Sequence, residues 1–402
     1  LHNKKLGSKH IVFLGESGFP LGLATIQRLT LMARAFVHVG AKSTVICRKG
    51  VHSKDGNANF PLRGEFEGID YCYTSQSIFK PKGFLRRNLQ KIAGILGEFR
   101  TLKALKSSQG IDMIIVSEMK VVHILRYWIF SRLLNVPMAV NLVEMASSMQ
   151  HRTSIFRRIN DFFLDNWVIK LYQGALPISD KLHEYYAKVC PGKPNMKVPI
   201  ICDFDKFSVK RKDSEPYFLY CGSFRYKEVR DFVIGAYERI ADNEETKLYM
   251  IVSGGSVKET EDLQAEVNKQ YKTAPIKLFS NIPYSELVQL YVNAIALLIP
   301  LRPTVQDRAR FPHKIGEYLA SGNPVITTNI GEVKNYFEHG KTALIANSYN
   351  MDAFSKEMKF IIENPIKSKE IGLRGQEMGR REFDYRTLGG NMWKFVENIS
   401  AT

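Results

Sequence analysis

The feature that most constrains this chain is an alternation of short apolar runs with helical stretches that runs through residues 10–200, breaks, and then starts again. The first apolar run, residues 10–15 (HIVFLG), is closed by glycine and suits a strand buried on both faces of a parallel sheet. A helix is predicted over residues 21–39 and a second strand over 43–47. Further strands are expected at 69–73, 113–116, 138–143 and 175–178, with helical segments between most of them. After the polar stretch 202–216 (CDFDKFSVKRKDSEP), strands recur at 217–221, 247–252, 276–279, 295–299 and 324–327. A helix is predicted over 229–240, and a last one over 386–399 carries Trp393 and Phe395. Strands that alternate with helices imply parallel sheets covered on both faces. The fold class is therefore α/β, with two Rossmann-like, doubly wound domains in the 402 residues. Their expected spans are 1–205 and 206–385, with the helix in 386–402 packing back on the first. Such sheets bind ligands at the carboxyl ends of their strands, so the cleft between two facing domains is the expected site.

Composition removes several function classes. No apolar run reaches the roughly 20 residues of a membrane-spanning helix. Residues 1–10 are polar and basic, unlike a secretory signal. The five cysteines are scattered singly, which argues against a disulfide framework or a zinc site and for a reducing cytoplasmic setting. No cluster has metal-ligand spacing, so no metal is expected.

The net charge of +17 lies almost wholly in residues 1–200, which hold 29 Lys and Arg against 13 Asp and Glu. That asymmetry points to an anionic partner for the first half. Residues 78–110 carry eight cations and one acid. Within them Leu85, Leu89, Ile92, Leu96 and Phe99 mark an apolar helix stripe. The stripe is expected to pack on the sheet while Arg86, Arg87, Lys91, Arg100, Lys103 and Lys106 face outward. Arg152, Arg157 and Arg158 form a second basic cluster among Ile155, Phe156, Phe162 and Phe163. Basic amphipathic helices read as binding an anionic membrane surface. No stacking platform or motif for nucleic acid is present, so no nucleic-acid partner is expected.

The densest chemical signal is residues 310–328 (RFPHKIGEYLASGNPVITT): a loop, a helix over 312–320, a glycine turn and a strand. Pro312 suits a first helical turn and Gly322 a helix stop. A helix N-terminus favours anions, and Lys314 in the first turn opposes the helix dipole unless an anion binds there. Glu317, one turn on, suits a ribose diol. The same residues also fit a plain βαβ unit with Lys314 and Glu317 in solvent. A second signal is residues 222–227 (GSFRYK), where Gly222 precedes Arg225 and Lys227, two cations able to face a departing diphosphate.

These stretches resemble glycosyltransferase family 4, whose members have the GT-B fold. Residues 311–326 (FPHKIGEYLASGNPVI) look like the family's donor-site helix, and 281–300 like the segment beside the nucleotide base. Residues 199–207 (PIICDFDKF), with Asp205 and Phe207, look like its entry into the second domain. The resemblance implies that Glu317 binds the ribose, that main chain at Ile282 meets the base, and that Arg225 and Lys227 act on the diphosphate. In the first domain it implies that the loop 15–22 (GESGFPLG) faces donor phosphates and acceptor, with Gly18 giving close approach and Glu16 touching the acceptor. Near the end of the strand 138–143 family members often have a histidine; Glu144 stands here, suited to stabilise positive charge or act as a base. His123 and His151 are less well placed. The family's carboxylate eight residues before the ribose-binding one is absent, its position being Ala309.

The resulting expectation is a retaining, hexosyltransferase-type enzyme using a UDP- or GDP-sugar as co-substrate, with no tightly bound cofactor. Its acceptor is a saccharide or lipid-linked saccharide of an envelope or surface glycan, met at the cytoplasmic face of a membrane. Alternatives are another GT-B enzyme, such as an inverting transferase or a sugar-nucleotide epimerase, or a non-catalytic member that binds nucleotide sugar.

Overall fold

The computed structural model describes residues 9–22, 24–54, 58–149, 154–240, 245–270 and 275–400. His151 and Arg152 lie outside the described residues. The chain divides into two compact units, one of Leu1–Ile201 with Tyr385–Thr402, the other Cys202–Asp384.

The first unit runs β1 (His10–Leu14), α1 (Ala24–His38), β2 (Lys42–Cys47), β3 (Arg63–Phe66), β4 (Ile69–Tyr73), α2 (Phe84–Gln109), β5 (Met113–Val116), α3 (Val121–Leu134), β6 (Met138–Leu142), α4 (Ile155–Asn166), β7 (Gly174–Pro177) and α5 (Asp180–Val189). The second runs β8 (Tyr217–Ser223), α6 (Lys227–Glu238), β9 (Lys247–Ser253), α7 (Val257–Gln270), β10 (Ile276–Phe279), α8 (Tyr284–Asn293), β11 (Ala296–Ile299), α9 (Val305–Ala309), α10 (Lys314–Ala320), β12 (Val325–Thr328), α11 (Val333–Tyr336), β13 (Leu344–Ala346), α12 (Met351–Glu363) and α13 (Pro365–Phe383). The final helix, α14 (Tyr385–Ser400), belongs to the first unit.

The first sheet has the order β3-β4-β2-β1-β5-β6-β7 and is parallel except for β3 against β4. The chain moves one way across the sheet from β1 to β4 and the other way from β4 to β7. Crossovers between parallel strands are right-handed, so α1 lies on one face and α2, α3 and α4 on the other. The apolar core fills the α1 face, where Met32 and Phe36 meet Trp393 and Val396 of α14. All five cysteines are buried and unpaired. Burial pushes the Cys47 thiol up to about 12, which makes it packing material.

The apolar stripe of α2 does not pack on the sheet. Leu85, Leu89, Ile92 and Leu96 are exposed, and the helix buries Gly94, Glu98 and Leu102 instead. Two glycines decide this. A Cβ on Gly94 would lie 2.1 Å from the Arg48 carbonyl oxygen, and one on Gly97 2.6 Å from that of Thr74. Their bare backbone therefore settles on the strand ends, and the Thr74 hydroxyl donates to the Gly94 carbonyl at 2.9 Å. Glu98, wholly buried, is held by Arg126 at 3.0 Å and by the Tyr127 hydroxyl at 3.0 Å.

The second sheet has the order β10-β9-β8-β11-β12-β13, parallel throughout. Its core gathers Phe218, Leu248 and Leu298 from the strands with Phe232 of α6 and Phe354 of α12. No helix among the described residues is long and apolar enough to cross a membrane.

Candidate functional site

In the second sheet the strand order reverses direction between β8 and β11, where a doubly wound sheet opens a crevice at its carboxyl edge. The segments leaving these two strands meet there. β8 runs two residues further than the sequence suggests, so Gly222 is strand rather than turn and pairs with Val252. A Cβ on it would fall 2.2 Å from the Tyr220 hydroxyl. Arg225 lies in the following turn and Lys227 opens α6, and both are exposed.

Tyr226, between those two cations, is bound from across the crevice. Its hydroxyl accepts from the Arg310 Nη1 at 3.0 Å, and the Arg302 and Arg310 guanidinium groups lie over its ring at 5.3 and 5.2 Å. Both arginines also grip Asp307. Arg302 donates through Nε to Oδ2 at 2.8 Å and through Nη2 to Oδ1 at 3.0 Å, while the Arg310 Nη2 lies 2.7 Å from the same Oδ1. Burial pushes the Asp307 carboxyl up, but the hydrogen bonds and charge of Arg302 and Arg310 outweigh it and hold it below the ordinary range. Arg302 also pairs with Glu228 of α6. Ala309 is buried, so the carboxylate nearest in sequence to the missing one, Asp307, is engaged by arginines.

Arg310 leads directly into the segment of Pro312, Lys314 and Glu317. The helix α10 begins at Lys314, and Pro312 precedes it in a turn closed by the Ile315 N–H on the Pro312 carbonyl at 3.0 Å. Tyr318 fixes the helix to the sheet. The last β8–β11 pair is Tyr220 with Leu298, and the next N–H, that of Cys221, donates to the Tyr318 hydroxyl at 3.0 Å. Glu317 is half-buried, and the Tyr291 hydroxyl donates to its Oε2 at 3.4 Å. Burial pushes this carboxyl up to about 7, against the opposing charge of Lys314 and the Tyr291 hydrogen bond. Tyr291 is itself positioned by Phe207, stacked at 6.2 Å, and by Tyr318, edge-on at 5.1 Å. Ile282 is half-buried between β10 and α8, at the same carboxyl edge.

The first sheet reverses between β1 and β5. Gly18 is buried in the loop after β1 with φ of 124°. Glu16 in the same loop is pushed up to about 7, first by burial and then by the charge of Glu118 beyond β5, with Lys49 opposing. Glu144 follows β6 at this edge and is half-buried. Burial and the surrounding cations, Arg48 and Arg126 first, push His123 down to about 3, so its imidazole is neutral. Arg28, buried, donates to Asn141 Oδ1 at 3.0 Å and to the carbonyls of Val198 and Pro199 at 2.8 and 2.6 Å. These residues thus lie toward the carboxyl edges of their own sheets: Gly222, Arg225, Lys227, Ile282, Pro312, Lys314 and Glu317 in the second unit, and Glu16, Gly18 and Glu144 in the first. Sequence reading missed Tyr226, Tyr291, Arg302 and Arg310. The acid Asp307 amid Arg302, Arg308 and Arg310 was the one available signal. Among the described residues no group of three or more His, Cys, Asp or Glu is placed to hold a metal.

Residues 203–378 match the family model described as glycosyl transferases group 1. Over that stretch, which is most of the second unit, the chain is similar to the glycosyl transferases group 1. A relative in Dictyostelium discoideum, alpha-1,3/1,6-mannosyltransferase ALG2, is 21% identical over 202 residues, 46% of this chain. The chain spans about half of that relative's length, 47%. Among solved structures, sucrose-phosphate synthase from Thermosynechococcus elongatus superposes with a TM-score of 0.74 at 14% identity, covering 98% of this chain and 99% of that one. Anabaena HepE in complex with UDP and glucose gives 0.67 at 13% identity, covering 97% and 99%. These likenesses show the fold to be GT-B.

Proposed function

We propose that this protein is a retaining glycosyltransferase of the group 1 family that moves a sugar from a nucleoside diphosphate sugar to a saccharide or lipid-linked acceptor. The observation that carries this reading is the half-buried Glu317 carboxyl, held by Tyr291 beside Lys314 within the group 1 region. A carboxylate in such a place gains most when ribose hydroxyls donate to it. Main chain at Ile282 lies at the same edge for the base. Pro312, Lys314 and Gly222 line the approach to the phosphates, and Lys227 with Arg225 neutralises the departing diphosphate. The acceptor oxygen bonds to the anomeric carbon as the bond from that carbon to the phosphate oxygen breaks. The acceptor's proton leaves with the diphosphate, on the same face, so configuration is retained. Gly18 lets the loop after β1 approach the donor phosphates closely, Glu16 touches the acceptor, and Glu144 stabilises positive charge at the anomeric centre or acts as a base. No tightly bound metal or cofactor enters this scheme.

UDP is the first nucleotide to test, since HepE was solved with UDP and glucose. The wider reading is work on an envelope or surface glycan, in the cytoplasm at the inner face of a membrane. Calorimetric titration with UDP and GDP, followed by an assay of nucleotide release from the matching sugar donor, tests the core of it. No binding of either nucleotide, or undiminished binding by Glu317→Ala, would sink the reading. Ala309 supports a second one, a member that binds nucleotide sugar without turnover, for which donor binding with no transfer to any acceptor is the sign.

A further inference from the structure

We propose that the outer faces of α2, α3 and α4 together form one surface that docks the first unit on an anionic phospholipid bilayer. This deepens the reading that the first unit meets an anionic membrane, and rests on it. The three helices lie on the same face of the sheet, with α3 in contact with both neighbours. Each leaves an apolar row in solvent at helical spacing. On α2 the row is Leu85, Leu89, Ile92 and Leu96; on α3 it is Val122, Leu125, Ile129 and Leu133; on α4 it is Ile155, Ile159 and Phe162, with Phe156 80% exposed beside them. Most of the large exposed hydrophobic side chains among the described residues lie on these helices. A patch of that kind marks a contact surface.

Charge selects the occupant. Every carboxylate on the three helices is buried: Glu98, Asp161 and Asp165. Arg86, Arg87, Lys91, Arg132, Arg157 and Arg158 are exposed. A surface of aliphatic rows among cations, with no exposed acid, matches acyl chains beneath anionic head groups. A second copy of the same face would set cations against cations. Duplex nucleic acid would engage the cations and leave the leucine and isoleucine rows in water.

Trp167, 65% exposed at the end of α4, is a built-in reporter, while Trp393 is buried in the core. The test uses the full chain with vesicles of phosphatidylcholine, with and without phosphatidylglycerol, read by flotation and tryptophan emission. The protein is expected to float only with phosphatidylglycerol, more weakly in high salt, with a blue shift of emission. Each cation near anionic lipid is worth about fivefold in affinity, so Arg86→Ala with Arg87→Ala lowers it about 30-fold. Leu89→Glu with Ile92→Glu abolishes flotation. Both pairs leave thermal stabilisation by UDP unchanged. If the wild type ignores anionic vesicles, the membrane reading and this surface both fall. If it floats and both variant pairs float equally well, the surface alone falls. Retention on duplex DNA without vesicle binding also overturns the proposal.

Discussion

The Tyr291 hydroxyl donates to the Glu317 carboxylate at 3.4 Å, and that contact is too weak to keep this half-buried carboxyl ionised in the ordinary range. The carboxyl, pushed up to about 7, holds its proton more tightly folded than unfolded. Stability without nucleotide is therefore expected to fall as pH rises from the ordinary glutamate range through about 7. Nucleotide binding runs the other way, because ribose hydroxyls need the ionised form. Affinity for UDP should rise by up to about tenfold per pH unit below that value and level off above it. Titration calorimetry across this range checks it, and Glu317→Gln should flatten the profile.

Asp307→Asn removes one partner of a buried ion pair and leaves the Arg302 guanidinium under-compensated. A loss of about 3–5 kcal/mol is expected. Urea denaturation of the wild type and variant measures it. The lowered pKa of Asp307 gives the sign with pH. Its stabilising share is full above the ordinary aspartate range and disappears as pH falls through the folded value.

Lys227→Ala should lower kcat by about 100- to 1000-fold, because charge on the leaving diphosphate grows only as the glycosidic bond breaks. The KM for the donor should change little by comparison. Steady-state assays at saturating donor separate the two. A variant that raised KM alone would move Lys227 to simple donor binding.

Gly94→Ala should destabilise the first unit by about 1–3 kcal/mol, since its Cβ has no room against the Arg48 carbonyl. Gly390→Ala is the matched control, on a helix where an added Cβ meets nothing within 4 Å. It should stabilise by up to about 1 kcal/mol. Thermal unfolding of the two variants distinguishes them by sign.

The parallel strands were legible because a strand covered on both faces reads as an unbroken apolar run, as in residues 217–221 and 296–299. The buried face of α2 was not. Hydrophobic spacing pointed to Leu85, Leu89 and Ile92, whereas the contact is made by Gly94 and Gly97, which carry no hydrophobic signal. The start of α10 was misread by two residues because Pro312 fits a turn before a helix as well as a first helical turn. The Arg302–Asp307–Arg310 cluster and its hold on Tyr226 join residues up to 84 positions apart, a relation no local pattern contains. Glu317 and Lys314 stand out in the sequence because a charged pair opens an otherwise largely apolar helix.

The return of α14 to the first unit has a consequence for how the protein is made. Trp393 and Val396 close a core begun by residues synthesised more than 300 positions earlier. Domains commonly fold in order as they emerge from the ribosome. Here the later-born unit has its whole sequence available first, while the earlier one waits for the final helix with the apolar face of α1 uncovered. Nascent chains stalled before residue 385 are thus the stage most in need of a chaperone.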